Sequence, residues 1–520
     1  MDVLRSVAAV RCFVERFRQG EGERSVGLVP TMGALHDGHR SLIKRSRDQD
    51  GLVVVSIFVN PLQFGPDEDF ARYPRSQAAD LALCEELGVD AVFLPTAEAL
   101  GIGTGDGGTQ VVPPPSMTAA LCGRSRPGHF TGVATIVMKL FNIVQPDHGY
   151  FGQKDAQQVA ILKRMVTDTN LPVELVVCPI VREADGLALS SRNRYLSAAE
   201  RQRSLVLSQA LAAAKTLFAK GDRQGNTLLA AAQSVLTAAG SDLVLDYLTL
   251  VHPDTLTPLE TVESVGLLAV AAQVGPARLI DNVLLRDRQP IIAIDGPAGA
   301  GKSTVTRRVA RELGLIFLDT GAMYRSVTWL ALHEGKDPGD RVALADLVSQ
   351  AQIRLSAPKP DATDGGQTGE AKVEITYQGQ THDVTRAIRT AEVTANVSAV
   401  AAHREVRRSL VAQQQAMGEQ GGLVAEGRDI GTHVFPDAEV KIFLTATPAE
   451  RARRRQADLT ARNQPCPDLA TLEAEIQERD RLDSSRAIAP LRQAADAWEL
   501  VTDGMTIDAV VNAIKARYPQ

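Results

Sequence analysis

The chain of 520 residues has little cysteine, and what it has is scattered. Its five cysteines, Cys12, Cys84, Cys122, Cys178 and Cys466, form no C-x-x-C pair. A disulfide framework and a structural zinc site are therefore not expected, and a reducing cytoplasm is. Long apolar runs are missing too. No stretch reaches the roughly 18 apolar residues of a membrane span, so no membrane partner is expected. The opening "MDVLRSVAAVRCFVERFRQG" has an acidic second residue, and Arg11, Glu15 and Arg16 interrupt its apolar stretch. It predicts an amphipathic helix rather than a signal peptide. A positive surplus is also absent. Lys and Arg number 56 against 62 Asp and Glu, a net charge of −6. Nothing general attracts nucleic acid or an anionic membrane, so phosphate binding must be local. There is no internal repeat.

What is present is ordinary globular composition, 44% hydrophobic and 23% charged. At roughly 100–200 residues per domain the length suggests three or four domains. Up to about Val181, apolar runs ("VGLVP", "LVVVSIFVN", "DAVFLP", "VELVVCPIV") alternate with helical patterns. That alternation predicts a parallel α/β sheet covered on both faces. From Ser197 the texture changes. A Ser-x-x-Glu capping box, Ser197 to Glu200, opens a long helix, and strand-like "LVLDYLTLV" and "GLLAVAAQV" follow. After the short charged join "LLRDRQP" the alternation restarts with "IIAID", "LIFLD", "GLVAEG", "VKIFLTAT" and "WELVTDG". The expected organisation is a nucleotide-binding domain over 1–182 and a small α+β domain over 183–282. A linker over 283–290 and a second α/β domain over 291–520 complete it. Gly101–Gln110 and Ser356–Lys372 are expected to be surface loops, the latter mobile.

Gly296, Gly301, Lys302 and Ser303 complete G-x-x-x-x-G-K-[ST] between a predicted strand and a predicted helix. In such a loop backbone N–H groups and the helix N-terminus face phosphate oxygens. Lys302 is expected to reach the β- and γ-phosphates and the Ser303 hydroxyl to ligate Mg²⁺. Pro297, Ala298, Gly299, Ala300 and Thr304 complete the expected ATP-binding segment. A loop of this kind specifies a nucleoside triphosphate and not its acceptor. Acceptor groups are sought at later strand ends. "LDTGAMYR" offers Asp319 and Arg325, "AEGRDIGT" offers Arg428 and Asp429, and "ERDRLDSSR" offers Arg479, Asp483 and Arg486. Phosphoryl transfer needs several cations around the moving group, although any single arginine also reads as a solvated surface residue.

Taken together, "GPAGAGKST", "LDTGAMYR", "EGRDIGTHVFPDAEVKIFLTA" and "ERDRLDSSRAIAPL" make the region from Ile291 to about Tyr518 resemble the bacterial cytidylate kinases. The resemblance implies a P-loop nucleoside-monophosphate kinase fold that transfers phosphate from ATP to CMP or dCMP with Mg²⁺. It implies phosphate contacts for Arg325, Arg428 and Arg486, cytosine contacts for Ser398, Arg407 and Asp429, and sugar contacts for Arg479 and Asp483. A carboxylate has a physical reason to be there, since it accepts from the cytosine amine that uracil lacks. Asp319 and Thr320 join this expected CMP site, with Thr320 standing where some relatives carry Ser. Residues from about 352 to 390 would be the insert closing over the monophosphate.

The first half offers another helix N-terminus to an anion. "PTMGALHDGH" follows the strand "VGLV" and precedes a helix. Here two imidazoles, His36 and His39, stand where the lysine would be. Three apart at a helix start, they can face one phosphate. On the motif alone a satisfied structural pair and a metal site are open as well, but a metal needs further ligands, the only other His residues in this region are His129 and His148, and no Cys/His cluster accompanies the pair. Downstream companions are Asn60 and Gln63, then Lys154, Asp155 and Gln158, then Ser190, Ser191 and Arg192. Lys154 and Arg192 suit a triphosphate or departing pyrophosphate; the amides suit a small hydroxy acid.

With "SIFVNPLQFG", "EDFARYPR", "RPGHFTGV", "DHGYFGQKDAQQ" and "SSRNRYL" in order, residues 1 to about 282 resemble the pantothenate synthetases. The resemblance implies a Rossmann-like nucleotidyl-transferase fold. It implies ligation of pantoate and β-alanine with ATP through a pantoyl-adenylate. Adenylation is needed because a free carboxylate is a poor acyl donor. His39 would be the proton donor, with His36 binding phosphate beside it. The ATP site would comprise Met32, Gly33, Ala34, Leu35, His36, Asp37, Gly38 and His39 at the first strand. Gly152, Gln153, Lys154 and Asp155, then Val181, then Leu189, Ser190, Ser191 and Arg192 would complete it. Gln63 and Gln158 would hold pantoate, with Asn60 beside them. The small domain would close over the site and carry homodimer contacts. Gln153 departs from the family, in which many members have Glu. Joined, the two halves make a bifunctional enzyme the leading expectation. The alternative is that one half alone is catalytic and the other a nucleotide-sensing or scaffolding module.

Overall fold

The structure, a computed structural model, describes residues 1–20, 24–66, 68–103, 108–238, 240, 243–356, 372–461, 466–484, 491–494 and 496–519. The chain divides into two compact units, Met1–Asp287 and Arg288–Gln520.

In the first unit β1 (Asp2–Leu4), β2 (Val26–Thr31), β3 (Leu52–Ile57), β4 (Ala91–Phe93), β5 (His148–Gly152) and β6 (Glu174–Cys178) form one sheet, ordered β1-β4-β3-β2-β5-β6. Every pairing in it is parallel. The run Leu52–Ser56 is buried throughout because helices cover both faces, which is why it carries no polar alternation. The chain leaves β2 for β3 and β4 on one side and returns for β5 and β6 on the other. At such a reversal the loops leaving the carboxyl ends diverge and open a crevice. The expected N-terminal helix needs correction at its start. Asp2–Leu4 pair with Ala91–Phe93 as an edge strand, and the helix runs from Val7 to Arg18, capped by Ser6. The strand pairing satisfies backbone groups that the free start of a helix would leave open.

A separate antiparallel sheet follows: β7 (Leu243–Val251), β8 (Val265–Val274) and β9 (Ala277–Arg286). Helices Ala198–Ala219 and Gly225–Ala238 cover it through one apolar cluster. The Ser197–Glu200 capping box forms as its spacing predicts. Residues 283–286, expected in the join, instead complete β9, and Leu285 is buried in that core. The charged look of the segment hid a strand whose alternate residues face inward.

The second unit contains β10 (Ile292–Asp295), β11 (Ile316–Asp319), β12 (Gln352–Ser356), β13 (Lys372–Tyr377), β14 (Gln380–Asp383), β15 (Leu423–Gly427), β16 (Val440–Thr445) and β17 (Trp498–Val501). Five form a parallel sheet ordered β11-β15-β10-β16-β17, with an apolar core on each face. β12, β13 and β14 form a small antiparallel sheet of their own. Helices Pro448–Ala461 and Leu469–Ser484 meet through Ala452, Leu459, Leu472 and Ile476, a cluster apart from the main cores. Of the two expected loops, residues 104–107 and 357–371 lie outside the described residues. Among the described residues no helix is long and apolar enough to cross a membrane.

Two candidate active sites

β2 ends at Thr31 and the chain turns at once into the helix Asp37–Gln49. His36 is the N-cap of that helix. Its Nδ1 accepts from the Gly38 N–H at 3.1 Å, and the His39 Nδ1 accepts from the His36 N–H at 3.3 Å. This is a capping box built from imidazoles. A neutral ring that accepts through Nδ1 carries its proton on Nε2. The ring centroids are 4.1 Å apart. Burial, followed by the charge of Lys154, lowers His36 to about 4; burial, then His36 and Lys154, lowers His39 to about 3. Both rings are therefore neutral at pH 7 and offer Nε2–H donors.

The turn before His36 is held from beneath. The buried Asp80 carboxylate accepts from the Ala34 N–H at 3.0 Å and the Leu35 N–H at 2.9 Å. On the far wall, Asn60 caps a short turn and donates to the Gly132 carbonyl and to Gln63 Oε1, both at 3.1 Å. Gly132 is required there, since a Cβ would stand 2.1 Å from the Leu62 carbonyl oxygen. The Gln63 amide in turn donates to the Met32 sulfur at 3.0 Å. Arg126 forks onto Glu68 at 2.7 and 2.5 Å and donates to His129, whose other ring nitrogen meets the Gln63 carbonyl at 2.8 Å. Arg192 forks onto Asp69 at 3.1 and 2.9 Å. From the small sheet, the Asn282 amide donates to the carbonyls of Gln153 and Lys154 at 3.0 Å, and the Gln153 amide donates to Asn282 at 3.2 Å. Glu at position 153 could not make that last bond, so the departure has a local partner.

Several of these groups line one open cleft, and others support its walls. The expected residues Met32, His36, Gly38, His39, Asn60, Gln63, Gly152, Lys154, Asp155, Gln158 and Val181 line it, as do Leu189, Ser190, Ser191 and Arg192. Gly33, Ala34, Leu35, Asp37 and Gln153 do not. Asn60 is buried with its amide committed to the turn, so it positions Gln63 rather than presenting a free donor. Asp80, Asp69 and Arg126 were not singled out from sequence, and His129 only as a possible metal ligand. Arg126 and His129 stood in the quoted "RPGHFTGV" and could have been placed at the site.

In the second unit the loop after β10 begins at Gly296, with φ +148°. A Cβ there would lie 2.0 Å from the Leu444 carbonyl oxygen, which only glycine avoids. The helix Lys302–Leu313 starts from Gly301 in the left-handed region with no side-chain cap. The Lys302 ammonium turns back onto its own loop, donating to the carbonyls of Gly296 at 2.6 Å and Pro297 at 2.8 Å. Burial, opposed by Glu426 and assisted by Arg428, lowers it to about 8. Ser303 Oγ donates at 2.7 Å to Glu426, whose second carboxylate oxygen is buried with no partner among the described residues. Burial, then the neighbouring Asp319, raises that carboxyl. Burial likewise lifts Asp295 to about 7, against N–H bonds from Gly431 and Ile430. Glu426 stood in the quoted "AEGRDIGT" but was not singled out. Its signal was a carboxylate at the end of the strand beside the loop-bearing one.

Around this loop Asp319 caps the helix Thr320–His333 and lies 3.4 Å from Arg325. The Thr320 hydroxyl donates to the Glu426 carbonyl at 2.8 Å. Arg407 and Asp429 pair at 2.5 Å, so two groups expected at the base face each other. Ser398 lies exposed on the helix Ala391–Ala401, and Arg479 exposed on Leu469–Ser484. The Asp483 side chain and Arg486 lie outside the described residues.

Comparison with known proteins agrees over the whole length. The family model for pantoate-beta-alanine ligase matches residues 2–284, and that for cytidylate kinase matches residues 292–520. A bifunctional pantoate ligase/cytidylate kinase of Synechococcus elongatus is 58% identical, covering 96% of this chain and 93% of the relative. One of Trichormus variabilis is 53% identical, covering 100% and 99%. A crystal structure of pantothenate synthetase from Thermus thermophilus superposes with a TM-score of 0.51 at 44% identity, covering 54% of this chain and 99% of that one.

Proposed function

Because the chain belongs to the bifunctional pantoate ligase/cytidylate kinase family, we propose that its two helix N-termini serve two separate ATP reactions, each with its own residues. One unit joins pantoate to β-alanine and the other phosphorylates CMP or dCMP. Both units keep their charged site groups, so neither reads as a scaffold for the other.

In the ligase, the pantoate carboxylate attacks the α-phosphorus of ATP and pyrophosphate leaves. The β-alanine amine then attacks the acyl carbon, and AMP leaves with one former carboxylate oxygen. The observation that carries this reading is the imidazole pair. Two neutral rings with Nε2–H groups, beside Lys154 on one cleft, suit charge developing on phosphate oxygens. His36 binds phosphate and His39 donates to it, first a hydrogen bond and, once anion binding raises its basicity, a proton. Arg192 exchanges Asp69 for phosphate. Gln63, set by Asn60, and Gln158 hold pantoate.

In the kinase, the loop's N–H groups hold the ATP phosphates and Lys302 swings to the transferring group. Ser303 and Glu426 fit a divalent cation, since their oxygens meet at 2.7 Å and the carboxylate has an unused buried oxygen. Mg²⁺ held there would neutralise charge on the phosphates. Arg325, Arg428 and Arg486 take the CMP phosphate, Asp429 with Arg407 and Ser398 takes the base, and Arg479 with Asp483 takes the sugar. We further infer a cytoplasmic homodimer joined through the ligase unit, whose parts are 1–182 and 183–282.

The test uses pantoate labelled with ¹⁸O in its carboxylate. The expected result is one ¹⁸O in the AMP formed with β-alanine, while CMP in the same tube takes its new phosphate from the ATP γ-position. Unlabelled AMP would overturn the adenylate route.

A further inference from the structure

Among the described residues three cations grip carbonyls of the Gly296–Lys302 loop, and two of them come from one helix. Lys302 holds Gly296 and Pro297. Arg451 donates to the Ala298 carbonyl at 3.2 Å, and Arg454, nearly one turn later, to the Ala300 carbonyl at 3.3 Å. Across a trans peptide the C=O and the following N–H point in opposite directions. Holding a carbonyl on a cation therefore turns the N–H that follows it, of Ala298, Gly299 or Gly301, away from that cation.

Arg451 does more than this. Its side chain is 3% exposed. Nε donates to the Ala446 carbonyl at 2.9 Å, and the guanidinium forks onto Asp480 at 2.9 and 2.5 Å. A buried guanidinium is tolerated only when its donors are used. Here they join three segments: the phosphate loop, the end of β16 and the helix Leu469–Ser484. That helix also carries Arg479, and with Pro448–Ala461 it packs through a small cluster of its own. Its position relative to the sheet thus depends on polar ties such as the buried Arg451–Asp480 fork.

We propose that Arg451 is a positioning residue that couples the two nucleotide sites of the kinase, orienting the ATP loop and transmitting to it, through Asp480, the position of the helix that meets CMP. The coupling rests on the assignment of Arg479 to CMP. When Arg479 closes on the CMP sugar, Asp480 moves with it and Arg451 is held on Ala298. By linkage, a filled ATP loop favours the closed helix and tightens CMP.

The full chain is titrated with CMP, which only the kinase unit takes, with and without saturating β,γ-methylene ATP. The wild type is expected to bind CMP about fivefold tighter or more with the analogue. In Asp480→Asn the affinity for CMP alone should stay within about twofold while the tightening falls to about one, as loss of the tie alone requires. Arg451→Met should lose the tightening and also raise the KM for ATP about tenfold with a smaller change in kcat. Arg451→Lys should recover much of that KM but not the tightening, because an ammonium cannot fork onto Asp480 while holding Ala298. If Arg451→Met does not fold, Asp480→Asn and Arg451→Lys decide the matter. Full tightening in Asp480→Asn, or none in the wild type, would overturn the proposal. Unchanged CMP affinity in Arg479→Ala would instead count against the CMP assignment, and Asp480→Asn would still read the coupling.

Discussion

The two helix N-termini meet an anion in opposite ways. At His36 the Gly38 N–H is bonded to one imidazole and the His36 N–H to the other. The rings pass the donor function on through Nε2–H, and on the proposed reading they meet the anion. At Gly301 no side chain caps the helix. Cations hold the loop carbonyls, which on the proposed reading leaves backbone N–H groups to meet the anion. Both starts exploit the same helix dipole. One relays it through neutral side chains, and the other exposes it and adds a full charge. On the proposed reading the first arrangement serves attack at the α-phosphorus and the second holds the β- and γ-phosphates.

The contrast is broken most severely at Gly296. Gly296→Ala must displace the Leu444 carbonyl and adopt a backbone angle that L-residues avoid, costing on the order of 3 kcal/mol. Kinase activity should vanish, with pantothenate formation retained, in parallel assays of one preparation. Next is Asp80→Ala, which strands two buried N–H groups beneath the His36 turn. It should destabilise the first unit by roughly 2 kcal/mol in urea unfolding and lower ligase kcat/KM, with kinase rates unchanged. Glu426→Gln should raise the Mg²⁺ concentration for half-maximal kinase rate about tenfold, as loss of a charged oxygen at a cation site does. The smallest effect concerns pH. His39 takes its proton near 6.5 when unfolded and at about 3 when folded, chiefly through burial. Between those values the unfolded chain binds more protons, so this group's contribution makes stability fall as pH falls. Gln at this position can still accept from the His36 N–H but does not titrate. Thermal unfolding of His39→Gln should therefore lose less stability than the wild type from pH 6.5 to 5, and an equal loss would contradict the assignment.

Most strands were legible because parallel strands buried on both faces need continuous apolar runs, as in Val53–Val55. The edge strand Asp2–Leu4 was not, since three residues carry no period and their partner lies near Val92. The end of β9 hid for a related reason: charged Arg286 and Asp287 mark a surface strand end as readily as a linker. At the sites, residues in compact motifs were legible and their supports were not. His36 and His39 declare themselves by spacing. Asp80 lies 45 residues from Leu35, on a helix, as an ordinary carboxylate. Lys302 is legible as a phosphate ligand, but nothing local says that it rests on Gly296 and Pro297. Arg451 looks like one of several surface arginines in "ERARRR", and only its burial against Asp480 separates it from Arg453 and Arg455.

On the proposed reading two complete and independent sites share one chain. The most direct test of that reading is a paired assay of the intact protein carrying Lys302→Ala or His39→Gln. Lys302→Ala is expected to lower CMP phosphorylation by about 100-fold or more and leave pantothenate formation within about twofold, with His39→Gln doing the converse. Loss of both activities in either folded variant would contradict it.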